Sequence, residues 1–323
     1  MSDQPMIEIT LDGAPRTIEA GSTGALLLQD AVKKDGVVAM RVNGEPWDLE
    51  RQVPAGAVVE PITLASEDGL NILRHSATHV MAQAVQEMFP DVNLGIGPFI
   101  TDGFYYDFGA IDAVTPEMLR EIEKRMKRIV KEGQRFVRRD ITEDQGREEL
   151  ADQPYKLELI TTKGAGAEGA SVEVGAGGLT MYDNVRRDGT VAWTDLCRGP
   201  HLPSTRLIGQ GFALTKSSSA YWKGDQSGDS LQRIYGTAWA SKDDLKAYQT
   251  RLAEAAKRDH RKLGAELDLY SFPEEIGPGL VVFHPKGAML RHQIEQYVVD
   301  RHQDYGFDFV HTPEISKGGL FHT

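Results

Sequence analysis

The chain has 323 residues, 40% of them hydrophobic and 26% charged, so it can form packed cores in about two or three domains and is not globally disordered. Its net charge of −12 argues against indiscriminate coating of nucleic acid but not against a local basic patch. The single cysteine, Cys197, excludes a disulfide framework within one chain. No signal peptide or apolar run of about 18 residues is found, so we expect a cytoplasmic protein with no membrane partner.

The first 64 residues are predicted to form short strands around one helix. Asp12-Gly13 between two alternating runs is a strong hairpin signal, and Asn43-Gly44 is a second strong turn signal. The helix is expected over residues 24–34. The predicted strands cover residues 6–11, 16–19, 37–42 and 58–63. This ββαββ outline is typical of a small β-grasp-like module, and its twelve acidic against five basic residues up to position 70 make it a poor phosphate binder.

A long helix is predicted from about Asp68 to the residue before Pro90, since proline disfavours helix in the residue that precedes it. Apolar residues at helical spacing define its expected core face: Leu73, Ala77, Val80, Met81, Ala84, Val85 and Met88. At about 100° per residue, His75 and His79 are predicted to point away from that face.

A basic helix is predicted over residues 116–139, where the stretch from Arg120 to Arg139 holds nine Lys or Arg and three Glu. Such a surface suits RNA, although charged helices are often simply solvated. A glycine-rich run at 164–178 favours a surface loop. The later expected elements are a connector helix from Ser241 to about Leu263, a strand at 280–283, a helix at 286–305 and a strand at 307–311.

Four potential metal ligands occur as two pairs. His75 and His79 are one helical turn apart, and Cys197 and His201 have the same spacing around Pro200, which stiffens a turn. Nitrogen and sulfur donors in two pairs match a tetrahedral zinc shell. They equally match a hydrolytic pocket in which imidazoles activate water. No glutamate lies between the two histidines of the first pair, which excludes the His-Glu-x-x-His protease motif.

Three further positions are candidates for the same site. Asp195, two residues before Cys197, would face the same side of an extended segment and could orient a histidine or bind a substrate ammonium. Lys156 is flanked by strand-forming residues and could stabilise a developing oxyanion, although a solvated lysine is the more ordinary interpretation. Tyr105 and Tyr106 would point to opposite faces of a strand, one towards the core and the other towards a pocket.

Several blocks in a fixed order carry a family resemblance. They are HSATH at 75–79, GIGPFITDGFYYDF at 95–108, DLCRGPH at 195–201, and YWKGD with LQRIYGTAWA within 221–240. The segments RLAEAAKRDHRKLGAELDLY and YGFDFVHTPEI follow at 251–270 and 305–315. Along its whole length the chain resembles the amino-terminal half of bacterial threonyl-tRNA synthetases.

This resemblance implies an α+β multidomain fold. Its expected parts are a β-grasp (ubiquitin-like) TGS domain at 1–64, a mixed α+β editing domain at 65–240 with an additional subdomain at about 190–240, a connector helix at 241–263, and the truncated start of a class II antiparallel catalytic domain, with motif 1, at 264–323. Motifs 2 and 3, which bind ATP in that class, are not found, so this portion alone is not expected to form threonyl-adenylate.

The resemblance also implies a function. The full-length enzyme would charge tRNA(Thr) with threonine as a threonine–tRNA ligase, and this portion would hydrolyse mischarged seryl-tRNA(Thr). Serine lacks one methyl group of threonine, which allows only about 1–3 kcal/mol of discrimination in a single pocket. The catalytic set implied by resemblance is His75, His79, Lys156, Asp195, Cys197 and His201. Tyr106 would contact the terminal adenosine or the substrate, and Gly97 would leave room for the aminoacyl group.

The use of metal differs between the related families. The alanyl relatives hold zinc with the ligand set that matches His75, His79, Cys197 and His201. In the threonyl family the editing pocket works without tightly held metal. There, zinc and ATP with magnesium serve the synthetic core, whose ligands would lie beyond residue 323. Both interpretations of the editing pocket stay open at the level of sequence.

The expected partner is tRNA(Thr), including its 3′-terminal adenosine, and the full-length enzyme is expected to form a homodimer through motif 1. Two alternative functions remain. One is a tRNA- or RNA-binding regulatory fragment without catalysis, for which the Cys/His set would have no use. The other is an alanyl-type trans-editing hydrolase, against which the front module and motif 1 argue.

Overall fold

The structure, a computed structural model, describes residues 5–163, 174 and 178–315. Within these residues the chain is a mixed α+β protein with several separate sheets. It divides into two compact units, Met1–Tyr248 and Gln249–Thr323. None of the described helices is both long enough and apolar enough to cross a membrane.

The first sheet has five strands in the spatial order β2-β1-β5-β3-β4. These are β1 (Met6–Leu11), β2 (Ala14–Glu19), β3 (Val37–Val42), β4 (Glu45–Trp47) and β5 (Val58–Thr63). Strands β1 and β5 are parallel, and the other neighbours are antiparallel. Both predicted turns are confirmed, because Asp12-Gly13 and Asn43-Gly44 all have positive φ angles, as the two-residue hairpin turn requires, and each turn joins antiparallel strands. Strand β4 was not predicted.

The single helix predicted over residues 24–34 is instead two short ones. They are α1 (Gly24–Leu27) and α2 (Gln29–Lys34). Leu28 separates them with φ −103° and ψ 17°, and its side chain is buried in the core of the first sheet. Tertiary packing of this leucine therefore interrupts a helix that local propensity would continue.

Helix α3 (Glu67–Met88) is the central element of the first unit. The Ser66 hydroxyl caps it by accepting from the Gly69 backbone N–H at 3.1 Å, and Glu67 and Asp68 lie at its positive end. The prediction of one core face is wrong, because every residue from Ile72 to Val85 is buried. Other elements cover the helix on its remaining sides, so the side that carries the histidines is inside the protein.

The described part of the first unit also contains two further sheets and three further α-helices that lie wholly within it. One sheet is antiparallel, in the order β11 (Val191–Leu196), β10 (Leu179–Val185), β9 (Arg135–Ile141). The other follows the order β12 (Phe212–Tyr221), β13 (Ser230–Ala238), β8 (Gly103–Gly109), β6 (Asn93–Leu94), with β7 (Phe99–Ile100) also paired to β8. The helices are α4 (Pro116–Glu132), α5 (Glu143–Glu149) and α6 (Pro154–Thr162).

Two predictions in this region are wrong for identifiable reasons. Helix α4 ends at Glu132 rather than at 139, because Gly133 takes the left-handed conformation (φ 68°) that closes a helix, and β9 follows. Lys156 lies in helix α6, which Pro154 starts, and not among strand residues. The glycine-rich run at 164–178 lies outside the described residues except at positions 174 and 178.

Helix α7 (Lys242–Lys257) spans the boundary between the units, and four elements follow it. They are α8 (His260–Glu266), β14 (Tyr270–Ser271), β15 (Val282–Phe283) and α9 (Pro285–Asp304). The predicted single connector helix is two helices, because Asp259 caps α8 by accepting from the Arg261 backbone N–H at 2.8 Å. The strand expected at 307–311 is not formed, and no described segment pairs with it. The strand expected at 280–283 is reduced to β15.

We expect the substitution Gly69→Ala to destabilise the first unit. A Cβ at this position would overlap the Thr63 carbonyl oxygen and lie 2.9 Å from backbone atoms of Leu64. Overpacking of this kind costs about 1–3 kcal/mol. All four tryptophans lie in the first unit, at positions 47, 193, 222 and 239, so their fluorescence during urea unfolding reports this unit.

Gly178→Ala is the matched control, because a Cβ there would meet no described atom within 4 Å. Equal urea midpoints for the two variants would contradict the packing argument.

Candidate active site

The two predicted pairs of donors meet in one buried cluster. His75 and His79 extend from helix α3, Cys197 directly follows strand β11, and His201 lies four residues later. All four are at most 3% exposed, and their donor atoms lie within 4.8 Å of one another. The Cys197 Sγ atom is 3.2 Å from His75 Nε2 and 3.4 Å from His201 Nε2. The ring centroids of His79 and His201 are 4.1 Å apart.

Burial keeps the three imidazoles of this cluster uncharged. It lowers the pKa of His75 from 6.5 to about 4, and it lowers the pKa values of His79 and His201 well below 6.5. The charge of Lys156 also lowers the pKa of His75 and of His79. A neutral imidazole keeps one unprotonated nitrogen that can accept a hydrogen bond at pH 7, and its lowered pKa makes it a weaker base than an exposed histidine.

The turn that carries Cys197 and His201 is fixed by hydrogen bonds. The Gly199 backbone N–H donates to Cys197 Sγ at 3.2 Å. The Ser76 hydroxyl lies 3.1 Å from His201 Nδ1 and accepts from the Leu202 backbone N–H at 3.0 Å. Ser76 was not among the predicted site residues, although its position as the second residue of the HSATH block is a signal that the sequence contains.

Aromatic rings surround the same imidazoles. The Phe136 ring stacks on His201 with a centroid distance of 4.9 Å and an interplanar angle of 13°. Trp193 packs edge-on against His79 at 5.1 Å, and Tyr182 packs edge-on against His201 at 4.6 Å. None of these three rings was predicted, because nothing in their local sequence indicates which residues they contact across the fold.

A second buried group contains Lys156, Asp195 and Tyr106. The Lys156 Nζ atom is 2.9 Å from Asp195 Oδ1, and both side chains are fully buried. The Tyr106 hydroxyl donates to Asp195 Oδ2 at 2.6 Å. The interpretation of Lys156 as a solvated residue is therefore wrong. Burial raises the pKa of Asp195, whereas the Lys156 charge and the Tyr106 hydrogen bond act in the opposite direction.

Tyr105 and Tyr106 point to opposite faces of strand β8, and both are buried. Tyr105 lies under the Arg233 guanidinium at 3.8 Å, whereas Tyr106 faces the site. A Cβ on Gly97 would be 2.6 Å from Thr78 Cγ2 and would overlap the Tyr106 ring. Gly97 therefore lets Tyr106 pack beside helix α3. Its role in making room for an aminoacyl group stays a prediction.

A cavity of about 140 Å³ lies against His75. This volume corresponds to roughly four or five water molecules in the liquid. Phe99, which is 38% exposed, has its ring 6.4 Å from His75. The residues that line the cavity are Pro46, Asp68, Asn71, Ile72, His75, Phe99, Gly199 and Pro200. Small molecules can therefore approach the cluster at His75.

The cluster also has the donors and the spacing for a zinc ion. Ligands at 2.0–2.3 Å from tetrahedral zinc are about 3.5 Å from one another, close to the two sulfur–nitrogen distances of 3.2 and 3.4 Å. The His79 Nδ1 atom is buried and has no hydrogen-bond partner within the described part of the chain. The residues present therefore fit a metal, although the same atoms also suit bound water.

Residues 178–235 match the family model of the threonyl and alanyl tRNA synthetase second additional domain. Along almost its whole length the chain is similar to bacterial threonine–tRNA ligases. The enzyme of Cutibacterium acnes is 71% identical over 320 residues, 98% of this chain and 46% of that protein. Those of Pseudarthrobacter chlorophenolicus and Thermobifida fusca are each 57% identical, over 99% and 100% of this chain and 48% and 49% of theirs.

The chain spans about half the length of the curated relatives it matches. It is a relative of the bacterial threonine–tRNA ligases, and the similarity fits an N-terminal portion of such an enzyme. The resemblance seen in the sequence is thus confirmed.

We expect acid to destabilise the first unit through His75. Because its pKa is about 4 in the folded protein and 6.5 ordinarily, the unfolded chain binds more protons between these values, and stability falls as the pH falls. From pH 7 to pH 4.5 the loss due to this group is about 2–3 kcal/mol. Urea unfolding followed by tryptophan fluorescence, with a chelator present, measures it.

His75→Gln is the matched variant, because glutamine does not titrate and the other acidic and basic groups are common to both proteins. The stability of the wild type relative to this variant should decrease on acidification. A constant difference between pH 7 and pH 4.5 would contradict the expected titration.

Proposed function

We propose that this chain is the N-terminal portion of a threonine–tRNA ligase and that its first unit hydrolyses seryl-tRNA(Thr). The observation that carries the proposal is the buried cluster of His75, His79, Cys197 and His201 with neutral imidazoles next to a small cavity. The similarity to threonine–tRNA ligases supplies the substrate class. A module that only bound RNA would not need this cluster.

In the proposed domain organisation a β-grasp TGS domain occupies residues 1–64, and its support is the five-stranded sheet with β1 parallel to β5. The editing domain would cover 65–240, with the additional subdomain at about 190–240. A connector at 241–263 would lead to the first part of a class II catalytic domain at 264–323. In the full-length cytoplasmic enzyme we expect zinc, ATP and magnesium in the synthetic core and a homodimer through motif 1.

The reaction is the hydrolysis of the ester between the serine carboxyl group and the ribose of the terminal adenosine. Water attacks the carbonyl carbon, the bond to the ribose oxygen breaks, and that oxygen takes a proton. His75 lines the cavity, so it is the imidazole best placed to accept the proton of the attacking water. The rings of His79 and His201 pack against the His75 ring and would hold it in position.

The second buried group would provide charge and orientation. Lys156 would stabilise the negative charge that develops on the carbonyl oxygen, and Asp195 would hold Lys156 and Tyr106 in place. Tyr106 would contact the adenosine or the substrate, and Gly97 would admit the aminoacyl group. If zinc is bound by the four-residue cluster, it would supply a Lewis acid that polarises the carbonyl.

Selection of serine over threonine would depend on the one additional methyl group of threonine, which a pocket shaped to serine can exclude by steric overlap. Contact with tRNA is supported by a surface around a second, open cavity, where the four basic side chains Lys131, Arg186, Arg187 and Arg206 outnumber the acidic Glu132 and Asp188. The same surface is what an RNA-binding fragment without catalysis would use, and that function is the second candidate.

Deacylation of seryl-tRNA(Thr) by the purified chain tests the proposal. We expect seryl-tRNA to be hydrolysed and threonyl-tRNA to be largely spared. His75→Gln should lower the rate at least 100-fold, in line with the usual contribution of an acid–base group of about 10²–10⁴-fold. His79→Gln should also lower the rate strongly, because it disturbs the packing around His75. Glutamine is preferable to alanine because both histidines are buried, contrary to their predicted outward orientation.

The control is His260→Gln, since this side chain is 83% exposed and lies outside the site. Equal rates for the wild type and both site variants would refute the assignment of the cluster. Efficient hydrolysis of seryl-tRNA(Ala) with no activity on seryl-tRNA(Thr) would favour the alanyl-type editor. Tight tRNA binding without any hydrolysis would favour the RNA-binding fragment.

We further expect hydrolysis to proceed without a metal. The thiol and the imidazoles already contact one another and the Ser76 and Gly199 groups, and neutral histidines can take up the proton of water. After dialysis against a chelator, with removal of zinc verified by elemental analysis, the rate should stay within about twofold. A loss of activity that zinc restores would establish the metal-dependent alternative.

A further inference from the structure

Asp48 is a buried carboxylate that the proposed hydrolysis does not use. It follows strand β4 of the first sheet and is 8% exposed. Each of its oxygens accepts one hydrogen bond from a residue more than 130 positions away. The His201 backbone N–H donates to Oδ1 at 2.9 Å, and the Tyr182 hydroxyl donates to Oδ2 at 2.6 Å.

Both partners of Asp48 belong to the immediate surroundings of the cluster. His201 is one of its four members, and the Tyr182 ring packs edge-on against that imidazole at 4.6 Å. Tyr182 also packs directly against the turn, since a Cβ added at Gly199 would overlap the Tyr182 hydroxyl. The Asp48 carboxylate thus holds the His201 backbone through one oxygen. Through the other oxygen it holds Tyr182, whose ring packs on the His201 imidazole.

Burial of the Asp48 carboxylate costs free energy, and close packing alone would not require a carboxylate at this position. Burial raises the pKa of Asp48, because the ionised form loses its hydration. The hydrogen bonds from His201 and Tyr182 and the charges of Arg138 and Arg51 act in the opposite direction. An apolar residue could fill the same space without this penalty, but it could not accept the two hydrogen bonds.

We propose that Asp48 is a positioning residue of the hydrolytic site. Through its two hydrogen bonds it holds the turn at 199–201 so that His201 Nε2 stays within contact of Cys197 Sγ. The segment after β4 is in this sense a structural part of the site, although it comes from the first sheet. The kinetic consequence rests on the proposed function, whereas the geometric consequence does not.

The geometric consequence can be measured without any substrate. Cys197 is the only cysteine of the chain and is 1% exposed, so its alkylation by iodoacetamide reports opening of this turn without background. We expect Asp48→Ala to raise the alkylation rate of the folded protein about tenfold, in line with the loss of hydrogen bonds at a buried site. Asp48→Asn should restore most of the protection, because its amide oxygen can still accept from the His201 N–H.

The kinetic consequence is a selective loss of turnover. For seryl-tRNA(Thr) we expect Asp48→Ala to lower kcat about tenfold with KM within twofold, and Asp48→Asn to recover most of kcat. A purely structural role would lower thermal stability and leave kcat per folded molecule unchanged. Glu50→Ala is the matched control, because it removes an exposed carboxylate two residues away and should change neither measurement.

Each outcome bears on the proposal. Alkylation and kcat within twofold of the wild type in Asp48→Ala would overturn it, as would equal effects of Glu50→Ala. If Asp48→Ala does not fold, Tyr182→Phe decides, because it removes one of the two hydrogen bonds and should raise alkylation at least threefold; an unchanged rate there would overturn the proposal. A wild type that does not hydrolyse seryl-tRNA would refute the proposed function, while the alkylation measurements would still decide the role of Asp48.

Discussion

The burial of helix α3 on all sides is the constraint on which the rest of the first unit depends. Its polar residues lie inside the protein and must find partners there. Thr78 donates to the Arg74 carbonyl oxygen at 2.8 Å, Arg74 donates to the Ala238 carbonyl oxygen at 3.3 Å, and Gln83 accepts from Asn184 at 2.8 Å. The same environment keeps the imidazoles neutral, so packing of this helix and chemistry of the cluster have one physical cause.

The Lys156–Asp195 pair is a fully buried pair of charged groups in this core. Transfer of two charges out of water usually costs more than their attraction returns, and apolar replacements of such pairs are often as stable or more stable. Here the pair is completed by the Tyr106 hydroxyl and by the Leu196 backbone N–H, which donates to Asp195 at 2.8 Å. In the proposed function, the Lys156 charge would serve hydrolysis, a role that the stability of the core does not require.

The sequence predicted the features that depend on neighbouring residues, such as tight turns and the spacing of paired side chains. The Asp-Gly and Asn-Gly turns were recognised because few other residues tolerate their positive φ angles. The four-residue cluster was recognised because both of its pairs have a spacing visible in the sequence. The end of helix α4 was misplaced because a basic pattern continued across Gly133, which closes the helix.

Burial and long-range contacts were beyond reach of the sequence. Hydrophobic periodicity reports which positions are apolar, so it predicts His75 and His79 on the solvent-facing side of helix α3. Other elements in fact cover that side as well. The sequence around Lys156 does not show that it is buried, because its partner, Asp195, is 39 residues away and on another element. Asp48 gave no signal at all, because its partners lie 134 and 153 residues later in the chain.

The walls of the site come from segments distant in sequence, and this has a consequence for its formation. The cavity at His75 is bounded by Pro46 from the first sheet, by helix α3, by Phe99 from β7 and by the turn at Gly199 and Pro200. No single segment contains enough of these groups to hold a small substrate or to exclude water. The neutral state of the histidines also requires the completed enclosure, since the pKa of an exposed imidazole stays near its ordinary value. A partly folded chain would therefore lack both the shape and the electrostatics of the pocket, and the two properties should arise together when the first sheet packs against the turn.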